Sequence, residues 1–476
     1  MAAARQTSAP VSSGAALRYS LPMTNRPFFH LNGRDIPLAD TDPTESLLRW
    51  LRRAHLTGTK EGCADGDCGA CTVAIVESAE DGGATYRAVN SCLLPMGSVP
   101  GRRVVTVESL ADGDTLHPVQ AAMVRCAGSQ CGYCTPGIVM SLFAGYYNGE
   151  LTDITTEGNL CRCTGYRPIR AATDELAGDS RPDDAFCRAL HADVGGASDP
   201  IPAFHLPVSV DQAIALKRDN PQAAWIAGAT DLGVALSHGQ PVAPSFIALD
   251  RIAALRHIDI QAGHVLIGAG VPLTTIETQL AGLFPALDQM LYWFAARQVR
   301  NRATLGGNLG TASPIGDLLP VLLALDAQVH CAGPEGARTL PVSDFFTGYR
   351  KTRRADGELI VAVTLPRRSG LSAAYKVAKR QTDDISIVAA VFALDFDQDI
   401  IAHARLAYGG VAATPMRATA VEEFLLGRTL DTDTVAEACR RLESVFTPLD
   451  DHRSSAAYRR RLCGSLFAKF VQEHCR

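Results

Sequence analysis

Nine of the fourteen cysteines in this 476-residue chain fall within its first 163 residues, and their spacing restricts what that part can become. The run Lys60-Glu61-Gly62-Cys63-Ala64-Asp65-Gly66-Asp67-Cys68-Gly69-Ala70-Cys71 sets three cysteines in the pattern C-x4-C-x2-C, with Cys92 as a distant fourth. Two iron atoms need four thiolates converging from different directions, and this spacing is that of a [2Fe–2S] loop. Gly62, Gly66 and Gly69 let the loop close and bring backbone N–H groups to the sulfurs. A zinc site is the alternative for the same residue types, but a zinc ribbon uses paired C-x2-C elements, which this run lacks. The stretch from Met1 to Pro27 has no apolar core of a signal peptide, so the cysteines are expected in a reducing compartment, as ligands rather than disulfides. Cys187, Cys331, Cys439, Cys463 and Cys475 are strung singly over the rest, which makes the metal chemistry N-terminal.

Cys126, Cys131 and Cys134 repeat the 4-2 spacing, yet Gln130-Cys131-Gly132-Tyr133-Cys134-Thr135-Pro136-Gly137 ends in a helix start, with Thr135 as cap and Pro136 as first helical residue. Cys161-Arg162-Cys163-Thr164-Gly165-Tyr166-Arg167-Pro168 supplies a second pair before another helix. Two cysteine turns between helices can clamp one cluster from two sides. Cys126 is then redundant and is expected as a buried thiol on the helix of Ala121, Ala122 and Val124. Upstream, Phe28 to Leu31 reads as a strand entering the turn Asn32-Gly33. Asp42 reads as the cap of a helix with Pro43 in its first turn and Leu47, Leu48 and Leu51 on one face.

Length suggests about three domains at roughly 150 residues each. A net charge of −5, from 45 basic and 50 acidic residues, provides no basic field for nucleic acid or an anionic membrane. No apolar run approaches the ~18 residues of a membrane span. Residues 1–25 are expected as a flexible, untargeted extension, with Met23 as an alternative start, and the chain as cytoplasmic. Residues 178–203, rich in Asp, Gly, Ser and Pro, read as a linker in which Cys187 is unliganded. Beyond it, strand-like stretches such as Ala224-Trp225-Ile226-Ala227 and His264-Val265-Leu266-Ile267 point to a packed α+β region. Neither a G-x-G-x-x-G after a strand nor a Walker A motif is present. Instead, Ala227-Gly228-Ala229-Thr230-Asp231-Leu232 and the small, polar run from Arg300 to Asp317 offer glycine N–H groups and hydroxyls suited to a pyrophosphate without a helix-terminus motif; taken singly they would be ordinary turns.

The cysteine patterns, with Gln-Cys-Gly-Tyr-Cys-Thr-Pro-Gly and Cys-Arg-Cys-Thr-Gly-Tyr-Arg-Pro, resemble the two-cluster module of the xanthine dehydrogenase and aldehyde oxidase family of molybdenum hydroxylases. The resemblance runs from about Arg26 through Gly348-Tyr349-Arg350-Lys351-Thr352 to the C-terminus. It implies a multidomain α+β chain: a β-grasp, plant-type ferredoxin domain (26–112), a four-helix [2Fe–2S] bundle (113–177), a PCMH-type FAD-binding domain (204–370) and a C-terminal α+β flavoprotein domain (371–476). It implies Cys63, Cys68, Cys71 and Cys92 as ligands of one cluster and Cys131, Cys134, Cys161 and Cys163 of the other, the latter nearer the molybdenum cofactor. It further implies that Trp225, Ile226, Ala227, Gly228, Ala229, Thr230, Asp231 and Leu232 wrap FAD with Phe294 against it. Thr304, Gly307, Asn308, Thr311, Ser313 and Asp317 form a second loop, and Ile360 and Lys376 complete the site. Ala229 stands where many relatives have Asn and Ala224 where many have Lys, so two side-chain contacts to FAD are lost. In Lys379-Arg380-Gln381-Thr382-Asp383-Asp384-Ile385, which alone reads as a charged surface turn, the resemblance makes Arg380, Asp383 and Asp384 candidates for tuning which acceptor takes the electrons.

One-electron clusters cannot deliver hydride to NAD+, whereas a flavin can. The implied function is therefore an electron-transfer subunit. It would accept electrons from hypoxanthine or xanthine oxidation on a large molybdopterin-binding partner, in a heterotetramer of two small and two large subunits, and pass them to NAD+. The rivals are the same relay in an aldehyde or N-heterocycle hydroxylase that uses oxygen or a quinone, a self-contained NADH-oxidising flavoprotein, and a binding protein with structural zinc.

Overall fold

The computed structural model describes residues 26–78, 83–178, 183–191, 198–380 and 382–475. The expected extension 1–25 lies outside them. The chain enters through the strand Phe28–Leu31, turns at Asn32 and Gly33, whose positive φ values of 52° and 77° suit a tight hairpin, and returns as Arg34–Pro37. The sheet is completed by Arg103–Val105, Thr72–Ser78 and Ala84–Asn90, with Phe28–Leu31 parallel to Arg103–Val105 at its centre. The helix Leu47–Arg53 buries Leu47, Leu48 and Leu51, as its apolar face requires. Its cap differs from expectation: Ser46 accepts from Arg49 N–H, while Asp42 accepts from the Thr44 amide and hydroxyl one turn earlier. Leucine spacing located the helix, but a Pro-containing turn took up Asp42.

The second domain packs the helices Pro118–Arg125, Thr135–Asn148 and Arg167–Ala177 on the back of the first sheet, so Ile138, Leu142 and Phe143 share one core with Ala74, Val76 and Tyr86. The two N-terminal domains are joined by a common core. Thr135 is the first helical residue rather than the cap, and its hydroxyl bonds Ser129. Within the expected linker, a short helix Ala185–Ala189 inserts Phe186 against Phe143, 5.1 Å between ring centroids. This is the fourth helix, too short for its period to show among the Asp and Gly around it.

The third domain opens on a parallel three-stranded sheet, Phe204–His205, Phe246–Ala248 and Ala224–Ile226. It continues in a five-stranded antiparallel sheet centred on Leu359–Pro366. The fourth is an antiparallel sheet backed by Thr419–Leu425, Thr432–Val445 and Ala456–His474. Its strand Val388–Asp397 alternates between two cores. Ala389, Val391 and Ala393 face the third domain, and Val388, Ala390, Phe392 and Leu394 face the C-terminal helices. No helix among the described residues is long and apolar enough to cross a membrane.

Candidate functional site

The loop from Gly62 to Cys71 folds the first cysteines into two facing pairs. Cys63 N–H donates to Cys68 Sγ and Cys68 N–H returns to Cys63 Sγ, each at 3.3 Å, and Asp65 N–H adds a third bond to Cys63 at 3.4 Å. Cys71 and Cys92 meet across the sheet edge, Sγ to Sγ at 3.4 Å. The bond from Cys68 lowers the Cys63 thiol to about 5 against its burial, helped by the Asp65 and Cys68 amides, and the same bond first, then burial, pushes Cys68 up. Backbone donors aimed at sulfur stabilise thiolate, the form that binds iron. A Cβ on Gly62 would lie 2.6 Å from Cys68 Sγ, so the glycine leaves room for a cluster ligand.

The second set is paired likewise, Cys131 with Cys163 and Cys134 with Cys161. Burial first, and then the bond with Cys161, pushes the Cys134 thiol up to about 12. Tyr166, itself in the left-handed region at φ 66°, receives the Cys161 N–H on its hydroxyl at 2.9 Å. Among the described residues no three His, Cys, Asp or Glu side chains converge on one point as a single metal ion requires. Pairs of thiols suit two irons with two ligands each. Cys126 departs from expectation. It caps the C-terminus of its helix, partly buried against the N-terminal core, with Sγ bonded to Glu175 at 3.3 Å.

The two cysteine sets meet. Leu160 N–H, next to Cys161, donates to the Cys68 carbonyl at 3.0 Å. Asn159 Nδ2 donates to the Gly69 carbonyl at 2.9 Å. A Cβ on Gly69, at φ 66°, would overlap the Gly158 carbonyl. The sets differ in exposure. Cys71 and Cys92 are 2% and 1% exposed and pack with Val234 and Val299 of the third domain, whereas Cys131 and Cys163 are open to solvent near exposed Tyr133 and Leu160.

Val234 and Val299 lie beside the two runs expected to hold a flavin. Gly228 packs directly on the Arg302 carbonyl, with no space for a Cβ, so the runs touch. Ala229 sits in the left-handed region at φ 65°, a conformation Asn tolerates better than Ala. Trp225 and Ile226 are adjacent on a strand and join different cores, so the backbone from Ala227 to Thr230 is what the first run presents, with Asp231 and Leu232 opening the next helix. The second run contains a helix: Thr304 caps Leu305–Thr311 by accepting from Gly307 N–H at 3.0 Å, which does create a helix N-terminus. Ile360 approaches the open side of Gly310, and Ser313 shapes the next turn through Ile315 N–H. Asp317 and Lys376 pair with each other at 2.7 Å. Asp317 also accepts from Ser386, and Lys376 donates to the Trp293 carbonyl beside half-buried Phe294. Asn308 Oδ1 and Asp383 Oδ2 are buried without a partner, orphaned polar atoms that fit a missing polar ligand.

Arg380 N–H donates to Asp384, and Arg380 Nη2 donates to the Asp383 carbonyl at 2.8 Å. Burial first, then the charge of Asp67, raises Asp383 to about 7. The turn therefore lies within electrostatic reach of the first cysteine loop. Sequence reasoning missed the side chains that hold the domains together. Arg302 and Arg102 form a buried square with Glu77 and Asp250, at 2.5–3.1 Å. The signal available was two arginines in an otherwise small-residue run.

Four family models match in order: a 2Fe-2S iron–sulfur cluster binding domain over 29–96, a [2Fe-2S] binding domain over 106–174, the FAD binding domain in molybdopterin dehydrogenase over 199–368, and the CO dehydrogenase flavoprotein C-terminal domain over 373–474. The chain is 32% identical to xanthine dehydrogenase of Blastobotrys adeninivorans and 33% identical to that of Drosophila pseudoobscura pseudoobscura, with 94% of it aligned in each case. It spans 40% and 39% of their lengths. Among solved structures, quinoline 2-oxidoreductase from Pseudomonas putida 86 matches with a TM-score of 0.54 at 27% identity, over 58% of this chain and 96% of that one. Carbon monoxide dehydrogenase from Hydrogenophaga pseudoflava matches with a TM-score of 0.55 at 27% identity, over 57% and 96%. With two cysteine sets in contact, the buried one packed against a flavin-domain match, and every domain matched in sequence order, the chain belongs to the xanthine dehydrogenase/CO dehydrogenase family and carries its iron–sulfur and flavin electron-transfer region.

Proposed function

We propose that this chain is the electron-transfer part of an NAD+-dependent xanthine dehydrogenase, working with a molybdopterin-bearing large subunit in a heterotetramer of two small and two large subunits. Cys63, Cys68, Cys71 and Cys92 hold one [2Fe–2S] cluster, and Cys131, Cys134, Cys161 and Cys163 hold the other. The backbone of Ala227–Thr230, the run from Thr304 to Asp317, Ile360 and Lys376 hold FAD. Bound there, the clusters supply one-electron transfer and the flavin supplies hydride to NAD+. The observation that carries this reading is the continuity of contacts. Exposed Cys131 and Cys163 offer an entry, the Leu160–Cys68 hydrogen bond joins the two loops, and Val234 and Val299, which flank the flavin runs, pack on the cluster that holds buried Cys71 and Cys92. Arg380, Asp383 and Asp384, on a turn within electrostatic reach of both Asp67 in the first cysteine loop and Lys376, tune acceptor access.

The test is the iron, zinc and flavin content of the purified chain, with spectra before and after reduction. About four irons and one FAD, two distinct reduced-cluster signals and reoxidation by NAD+ are expected. Zinc without flavin would sink the reading. The likeness to quinoline and carbon monoxide oxidoreductases favours a second reading, the same relay serving another substrate. Substrate oxidation by the complex with its partner, and reoxidation by oxygen or a quinone instead of NAD+, distinguish it.

A further inference from the structure

Residues 298–302 project from the third domain into the two N-terminal domains, and each reaches a different place. Val299 packs against the buried cluster of Leu48, Cys71, Cys92 and Leu93. Arg300 donates to Glu157 at 2.8 Å, Asn301 to the Ala88 carbonyl at 2.8 Å, and Arg302 to Glu77 at 3.0 Å. Gln298, 1% exposed, alone reaches the point where the two cysteine loops touch. Its amide donates to Ser141 Oγ at 3.1 Å and to Asn159 Oδ1 at 3.0 Å. Asn159 in turn spends its own amide hydrogens on the Gly69 carbonyl and on Thr72 Oγ1, at 2.9 and 3.2 Å. Gly158 makes the approach feasible, since a Cβ there would overlap Gln298 Oε1.

We propose that Gln298 is a positioning residue for electron transfer, acting through Asn159 to fix the spacing between the two cysteine loops and hence between the centres they hold. The proposal rests on the relay reading above. Both amides have their hydrogens committed, so neither can rotate without leaving a buried donor unpaired. Asn159 precedes Leu160-Cys161 on one side, and Gly69 follows Cys68 on the other. A leucine at 298 keeps the bulk and removes the donors, leaving Asn159 held by Ser141 alone on its carbonyl side.

The experiment compares wild type, Gln298→Leu, Gln298→Asn and Glu77→Gln as full chains, measuring iron and flavin content, melting temperature, the magnetic interaction between the two reduced centres and the rate of flavin reduction after one-electron loading. Glu77 joins the same domains but touches neither cysteine loop. Q298L is expected to keep iron and FAD, to show a weaker magnetic splitting and to reduce flavin several-fold more slowly. Q298N should fall between it and wild type, and E77Q should melt lower with wild-type splitting. Wild-type splitting and rate in Q298L, equal changes in E77Q and Q298L, or loss of iron from both Gln298 variants but not from E77Q would each overturn the proposal. Wild-type protein without iron or flavin would instead overturn the relay reading itself.

Discussion

Two single positions make opposite demands on the fold around the cysteine loops. Gly69 holds a left-handed backbone while its carbonyl accepts from Asn159 and its Cα faces the Gly158 carbonyl. Gly69→Ala adds a left-handed penalty of roughly 1–2 kcal/mol and an overlap costing about 1–3 kcal/mol. It is expected to lower iron content at both cysteine sets, because the displaced backbone belongs to both; iron analysis and the melting temperature check this. Asp383 makes an opposite kind of demand. Burial first and Asp67 second raise its carboxyl to about 7, so the folded chain retains a proton that the unfolded chain releases in the ordinary carboxylate range. Its contribution to stability is therefore present in acid and is lost as pH rises through about 7. Asp383→Asn should remove this dependence: melting temperatures of wild type should fall relative to D383N between about pH 5 and about pH 8. If Asp383 also tunes the acceptor step, the pH profile of flavin reoxidation by NAD+ flattens in the same variant.

The strand Thr72–Ser78 and the run around Arg302 meet at the square of Glu77, Asp250, Arg102 and Arg302. Burial alone would raise Asp250, but Arg102 and Arg302 outweigh it and hold the carboxyl at about 2. Stability from Asp250 is thus present above the ordinary carboxylate range and lost only as pH falls toward about 2. Removing one anion from a buried ion network costs about 3–5 kcal/mol, so Glu77→Gln should lower the unfolding free energy obtained from a denaturant curve by that amount, with a lower midpoint. None of this square was legible in the sequence, since Glu77 and Arg302 are 225 residues apart and nothing local pairs them. What was legible had a local cause. The 4-2 cysteine spacing forces a tight loop, Asn32-Gly33 turns a hairpin, and Leu47, Leu48 and Leu51 share a helix face. The Asp42 cap failed, and the short helix Ala185–Ala189 within the linker went unseen, for the same reason in reverse: Pro-, Asp- and Gly-rich segments suit several local structures, and tertiary packing of Leu47 and Phe186 selected among them. The two runs expected to hold a flavin stood out by their small residues, but the helix following Thr304 was not recognised, because glycine at 306, 307 and 310 argues against a helix until packing against Ala269 is known.

At the scale of the whole chain, the alternation of Val388–Asp397 between two cores makes the fourth domain structurally continuous with the third, and the shared core of Val76, Tyr86 and Phe143 does the same for the first two. The molecule is thus two fused halves whose junction includes residues 298–302, the Glu77 square, the Arg49–Ser237 hydrogen bond and the close approach of Gly233 to Leu93. The exposures of the cysteine pairs have a further consequence for how such a molecule ages. Cys131 and Cys163 face water while Cys71 and Cys92 lie beneath apolar side chains, so an external chelator or oxidant has access to one set long before the other. In the relay proposed above, the protein incubated alone is expected to bleach in two stages, the outer set first, leaving an intermediate that still carries its inner iron and its flavin yet can no longer be loaded through the outer centre.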